Sequence, residues 1–187
     1  MGNNYTDEDL MLMYRDGDVS AFEILYRRHK GPVYRFILRR CGNTGVSEEL
    51  FQDVWLKLIQ ARERYEVNAK FTTYLYRIAH NHVIDHFRKS KTDGSNDSTV
   101  EADELPAPVQ QQPERRAESG QQVRILLDAI AGLPAEQQQV FLLKEETGMN
   151  IAEIAEVLGV NGETVKSRLR YAVKKLRTAM GETDDRA

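Results

Sequence analysis

Long apolar runs are missing from this 187-residue chain. No uninterrupted stretch approaches the roughly 18–20 residues that crossing a bilayer requires, so membrane insertion is not expected. Cysteine is nearly absent as well. Cys41 stands alone, which excludes an internal disulfide and makes a reducing cytoplasm the expected location. Proline and glycine number 5 and 12 and fall mostly outside the periodic segments, which excludes a collagen-like chain. There is no glycine-rich phosphate loop, no nucleophile elbow and no pair of carboxylates in a recognisable setting. No catalytic residue is therefore assigned, and catalysis by this chain alone is not expected. The opening MGNNYTDEDL is acidic and unlike a signal peptide. What is present is ordinary globular composition, 41% hydrophobic and 29% charged.

The net charge of -3 hides a block pattern. Residues 69–91 carry five basic residues against one acidic, and residues 161–178 carry six against one. Acidic stretches separate them: residues 92–119 hold seven acids against two bases. Alternation of this kind suggests local anion-binding faces on a chain that otherwise repels polyanions. Charge alone favours the plainer reading of two solvated helix faces.

The apolar periodicity is helical throughout, and no segment shows the alternation of a half-buried strand. The fold class is all-α. Ser20 with Glu23 reads as a capping box, followed by Phe22, Leu25, Val33, Phe36 and Ile37 at helical spacing, with a kink or break at Gly31-Pro32. Ser47 reads as the cap of a second helix carrying Leu50, Phe51, Val54, Trp55 and Leu58. Residues 71–89 read as a third. The segment 91–119 is rich in Asp, Ser, Gln and Pro and almost devoid of large apolar residues, so it reads as a flexible acidic linker. It divides the chain into two small helical domains, 5–90 and 120–180.

The segment 151–177, IAEIAEVLGVNGETVKSRLRYAVKKLR, is the most informative. Ile154, Ala155 and Leu158 make a short amphipathic helix, Gly159 permits the positive φ of a tight turn, and Asn161 can cap the next helix. A small residue four places before that glycine, with an apolar one after it, is the helix-turn-helix pattern. The second helix would bury Val165, Leu169, Ala172 and Leu176. It would then direct Glu163, Ser167, Arg170, Tyr171 and Lys174 outward, with Lys166, Arg168, Lys175 and Arg177 on the flanks. Such a face suits duplex DNA, since Arg and Lys can donate to guanine edges or phosphates.

Opposite the apolar stripe of helix 71–89 (Phe71, Leu75, Ile78, Ala79, Val83, Phe87) lies a row comprising Tyr74, Arg77, Asn81, Asp85 and Arg88, edged by Tyr76 and His80. Aromatic rings among cations suit unpaired bases, which stack while the cations follow the phosphates. A packing role fits Tyr74 equally well. His82 and His86 have a spacing that can hold zinc, with His80 nearby. The segment reads His-Val-Ile-Asp-His without the metalloprotease glutamate, so no metal is assigned and no cofactor is expected. Cys41 reads as a packed thiol. The helix EELFQDVWLKLIQ has more apolar surface than one core-facing side needs. Glu49, Gln52, Asp53 and Leu56 could therefore face another protein's helices.

Four blocks in this order resemble a bacterial RNA polymerase sigma factor of the extracytoplasmic-function group: DEDLMLMYRDGDVSAFEILYRRH, SEELFQDVWLKLI, FTTYLYRIAHNHVIDHFRK and LPAEQQQVFLLKEETGMNIAEIAEVLGVNGETVKSRLRYAVKKLR. The resemblance implies a region 2 over 5–90 and a region 4, containing the helix-turn-helix, over 120–180. It also implies core RNA polymerase and promoter DNA as partners, with an anti-sigma factor as a further one. Core polymerase would meet Leu50, Gln52, Asp53 and Leu56. The single strand of the -10 element would meet Lys70, Tyr74, Tyr76, Arg77, Asn81 and Arg88. Duplex at the -35 element would meet Lys166, Ser167, Arg168, Arg170, Tyr171 and Lys174. Many relatives carry Trp where this chain has Tyr74. The alternative reading is a stand-alone helix-turn-helix regulator, which would bind DNA tightly without polymerase.

Overall fold

A computed structural model of the chain describes residues 5–92 and 113–181, all in helices, turns and short connections. The expected linker falls mostly outside those residues. Its two ends are helical, because the third expected helix runs on to Thr92 and the next helix starts at Pro113.

The N-terminal body has four helices. α1 (Asp7–Arg15) starts from a capping box in which the Thr6 side chain accepts from the Asp9 amide and the Asp9 carboxylate accepts from the Thr6 amide. α2 (Val19–Cys41) is capped by Asp18, whose Oδ1 accepts from the Ser20 amide at 2.9 Å. The expected Ser20–Glu23 box is therefore not the start. Nor is there a break at Gly31-Pro32: α2 runs through Pro32. An interior proline costs about 3 kcal/mol or more in an isolated helix. Here Ala21, Leu25, Val33, Phe36 and Ile37 all reach 0% exposure along one continuous inner face, and that burial outweighs the penalty. Gly42 ends α2 with φ 67°.

The next residue, Asn43, caps α3 (Thr44–Ala61) by accepting from the Val46 amide at 3.0 Å. Ser47, expected as that cap, is buried one turn inside, where its hydroxyl donates to the Asn43 carbonyl at 2.6 Å. A 3-10 turn at Arg62–Arg64 and a short connection lead to α4 (Phe71–Thr92). The first amide of α4, that of Phe71, donates to Glu8 Oε1 at 2.6 Å, so α1 supplies the acceptor there. Phe22, Tyr26 and Trp55 hold the aromatic side of the core, with the Tyr26 and Trp55 rings 4.8 Å apart.

The C-terminal body comprises α5 (Pro113–Ala131), α6 (Ala135–Thr147), α7 (Ile151–Leu158) and α8 (Gly162–Ala179). Its core gathers Ile130, Val140, Leu142, Leu143, Ile154 and Val165. The two bodies touch: α2 packs on α6, and α4 packs on α7.

Candidate nucleic-acid and polymerase interfaces

α7 and α8 form the expected helix-turn-helix. Asn150 and Glu153 make a reciprocal capping box at the start of α7. Gly159 takes φ 65°, and the Val160 amide returns to the Ala155 carbonyl at 3.1 Å. Asn161 Oδ1 then accepts from the Thr164 amide at 2.8 Å and starts α8. Turn chemistry and caps together fix where α8 points.

Val165 and Ala172 are fully buried, Leu176 is buried and Leu169 half-buried, which leaves Lys166, Arg170, Tyr171 and Lys174 exposed on α8. The Arg170 guanidinium sits over the Tyr171 ring, 5.3 Å from its centroid. Lys166 Nζ lies 2.8 Å from Glu163 Oε1, and that hydrogen bond holds the Glu163 carboxyl below the usual range. Two residues are more constrained than helical spacing alone implies. Ser167 donates to the Thr164 carbonyl at 3.0 Å, and Arg168 pairs with Glu136 at 2.8 Å, bracing α8 against α6. The face as a whole offers cations and one aromatic ring to an anionic, stackable surface.

On α4, Asn81 is exposed, Tyr74 is half-buried against Tyr65 with ring centroids 5.4 Å apart, and Arg88 pairs with Asp85 at 3.0 Å. Lys70, just ahead of α4, pairs with Glu153 at 2.7 Å, and Arg77 approaches Glu156 at 3.9 Å. Tyr76 corrects the expectation. It is 1% exposed, with its ring edge-on to Phe36 at 5.4 Å, so it is a core residue and cannot stack on a base. Two positions along a helix are about 200° apart, so Tyr74 and Tyr76 cannot share a face. Burial, helped by the nearby Arg40 charge, pushes the His80 pKa down to about 4. Among the described residues no group of three or more His, Cys, Asp or Glu side chains is placed to hold a metal ion. Burial also lifts the Cys41 thiol to about 11, a value that makes it a poor nucleophile.

On α3, Gln52, Asp53 and Leu56 lie exposed in a row, with Leu56 at 53%. Leu50 does not join them. It is 6% exposed and belongs to the core. The contacts between the two bodies have almost no signature in the local patterns. Arg40, one turn beyond Phe36 on the inner stripe of α2, is the one signal, a cation where an apolar residue belongs.

Comparison with known proteins bears on what these faces serve. Residues 25–92 match the family model of Sigma-70 region 2, and residues 124–176 that of Sigma-70, region 4. The ECF RNA polymerase sigma factor SigW of Bacillus subtilis is 30% identical over 169 residues, covering 87% of this chain and 90% of SigW. The chain belongs to the ECF sigma factor family. The RNA polymerase sigma factor CarQ of Myxococcus xanthus is 29% identical over 93% of the chain and 97% of CarQ. Two solved structures share the fold at 20% identity: CnrH in complex with the cytosolic domain of CnrY, and the sigma factor RpoE of Bartonella quintana in complex with the anti-sigma factor NepR. Their TM-scores are 0.68 and 0.71, over 94% and 90% of this chain and 97% and 100% of theirs. This sigma factor is thus a transcription-initiation protein that works with core RNA polymerase on promoter DNA, and its relatives are sigma factors, not enzymes. Among the described residues, no helix is long and apolar enough to cross a membrane.

Proposed function

We propose that this sigma factor reads its promoter in two pieces, a duplex -35 element through α8 and an unpaired -10 strand through α4 and the loop before it. The observation that carries the reading is the exposed row Lys166, Arg170, Tyr171 and Lys174 on the second helix of a well-capped helix-turn-helix. Arg170 donates to a guanine edge or to phosphate, while Lys166 and Lys174 follow the backbone. On α4, Tyr74 offers a ring edge beside Asn81, with Lys70, Arg77 and Arg88 as phosphate partners. Base capture there offsets a melting cost of roughly 1.4 kcal/mol per base step, since stacking returns roughly 1–3 kcal/mol per base. Gln52, Asp53 and Leu56 dock on core polymerase, which keeps both readers on one promoter and makes the second contact effectively intramolecular.

The working boundaries are 5–90 for the -10 and polymerase-binding unit and 120–180 for the -35 unit. The protein acts in the cytoplasm, and the polymerase, not this chain, performs nucleotidyl transfer. An anti-sigma factor restrains it, as CnrY and NepR bind the proteins of similar fold. The deciding experiment is run-off transcription with purified core polymerase and a genomic promoter library. New specific transcripts that require the chain support the reading. Absence of a complex with core, or equally tight site-specific binding by the chain alone, would overturn it.

A further inference from the structure

α1 lies ahead of residues 25–92, the span that matches the region 2 model, and none of the promoter or polymerase contacts proposed for this chain falls on it. Its side chains nevertheless reach the connection before α4 at three points. Arg62 of the 3-10 turn sets its guanidinium over the buried Tyr14 ring, 5.4 Å from the centroid. Arg15 Nη1 donates to the Tyr65 carbonyl at 3.4 Å. Glu8 Oε1 accepts from the Phe71 amide at 2.6 Å. α1 is in turn fixed to α2, because Asp7 is bonded to Arg28 and to His29, each at 2.7 Å.

Residues 65–70 lie outside any helix. Inside them the Asn68 amide returns to the Glu66 carbonyl at 3.0 Å, which closes only a local turn. Glu66, Val67 and Asn68 are exposed, so the shape of the connection is set at its ends. Those ends adjoin the residues proposed for the -10 strand. The Tyr65 and Tyr74 rings meet edge-on with centroids 5.4 Å apart, and Phe71 directly follows Lys70. The Phe71 amide is one of the four at a helix start that have no partner within the helix. A carboxylate there makes a charge-assisted hydrogen bond and meets the positive end of the helix dipole.

We propose that Glu8, assisted by Arg15, is a positioning residue for -10 recognition. Glu8 acts on Lys70 through the Phe71 amide, and Arg15 acts on Tyr74 through the backbone of Tyr65. The inference rests on α4 and the connection before it being the single-strand face. A connection already held in its binding shape avoids the cost of ordering when a base arrives. It also rejects a misfit base, whereas a loose one can repack around any base. Losing Glu8 therefore acts on selectivity among bases more than on assembly with core polymerase.

The test is run-off transcription with core polymerase and the full chain. One template set carries each base in turn at every position of the -10 element, with the -35 element constant. A second set varies the -35 element and keeps the -10 element constant. Glu8→Ala removes the acceptor. Glu8→Gln removes the charge but keeps a carbonyl oxygen for the Phe71 amide. Asp9→Ala breaks the capping box of the same helix, in which the Asp9 carboxylate accepts from the Thr6 amide, and leaves Glu8 in place. Thermal unfolding first ranks the stabilities of the three variants. Glu8→Ala is expected to narrow the ratio of best to worst -10 base by about threefold or more, with -35 preference unchanged, and Glu8→Gln to retain the ratio. Equal narrowing by Glu8→Gln or by Asp9→Ala overturns the inference, since charge or helix stability would then suffice. So does an unchanged ratio in Glu8→Ala, or a parallel loss of -35 preference. Tyr74→Ala in the same assay separates this inference from the reading beneath it. Altered base preference there with a silent Glu8→Ala refutes the positioning role and leaves the -10 face standing. Silence in both refutes the two together.

Discussion

Arg40 Nη1 lies 2.6 Å from Gln138 Oε1, so a guanidinium only 8% exposed is shared by the two bodies. Burial lowers the Arg40 pKa, but an arginine stays charged at neutral pH and needs an acceptor. In a rigid protein, removing the partner of a buried charge costs about 3–5 kcal/mol. Here the charge can regain water if the bodies separate. Gln138→Leu is therefore expected to lower the melting stability of the N-terminal body by less than about 1 kcal/mol while expanding the molecule. Calorimetry and small-angle scattering measure the two effects, and a large loss of stability without expansion would contradict the account.

Arg170 is exposed, with its guanidinium over the neighbouring Tyr171 ring on the outer face of α8. Arg170→Ala should weaken binding of the polymerase complex to a duplex -35 element by about 1–3 kcal/mol and leave assembly with core unchanged. Footprinting on -35-dependent promoters, paired with a core-binding assay, distinguishes this from general damage.

Leu50 and Leu56 lie on the same helix with opposite fates, 6% and 53% exposed. Leu50→Ala opens a cavity and should cost about 2–5 kcal/mol in urea unfolding. Leu56→Asp should change stability by within about 0.5 kcal/mol and reduce the affinity for core polymerase instead. Reversal of these two results would place the docking surface elsewhere.

Acid should destabilise the fold through His80. Its pKa is about 4 when folded, against 6.5 unfolded, so the unfolded chain takes up the proton first. Stability is intact above the unfolded value, falls as pH drops through the interval from 6.5 to about 4, and levels below it. The ring is half-buried, so solvent limits the loss to about 2 kcal/mol or less. Asp7 acts in a lower window. Burial raises its pKa, but hydrogen bonds from His29 and Arg28 outweigh this and lower it below 3.8, where its contribution is lost only in stronger acid. Replacing His80 with Gln should flatten the denaturation midpoint across the upper window alone.

Tyr74 and Tyr76 separate binding from packing. Tyr76→Ala should cost about 3–5 kcal/mol, as for other large aromatic truncations in a core. Tyr76→Phe should be nearly neutral, because the buried hydroxyl finds no hydrogen-bond partner among the described residues. Tyr74→Ala should weaken opening of the -10 region with a smaller effect on melting. Permanganate reactivity of promoter thymines, read alongside thermal unfolding, checks the contrast.

Features set by neighbours in sequence were legible in advance. Asn161, Gly159 and the apolar positions of α8 are where the sequence puts them, because a cap or a tight turn depends on a few adjacent residues. Pro32 misled because the force that keeps α2 whole is burial against α3 and α4, which no local window contains. Ser47 looked like a cap because acids follow it, whereas Gly42 and Asn43 had already ended one helix and begun the next. Of the candidate sites, the α8 face was legible from its period. Tyr76 lies at the border of the α4 row, where spacing alone does not tell an edge position from a core one. Leu50 is buried against expectation, because a resemblance assigns a segment to a partner without fixing the phase of each side chain. The apposition of Glu153 with Lys70 joins two exposed residues of separate bodies, and neither pattern announces the other.

The Glu8 carboxylate beneath the first turn of α4 has a consequence for the short strap ahead of that helix. At its near end Tyr65 is sunk into the core, its phenol raised to about 12 by that burial, while its carbonyl accepts from Arg15 at 3.4 Å. At its far end the Phe71 amide is moored to Glu8. Glu66 to Lys70 are left as a bridge whose two footings are both set by α1, through Arg15 and Glu8, so a shift of α1 would be passed to both ends of the strap together.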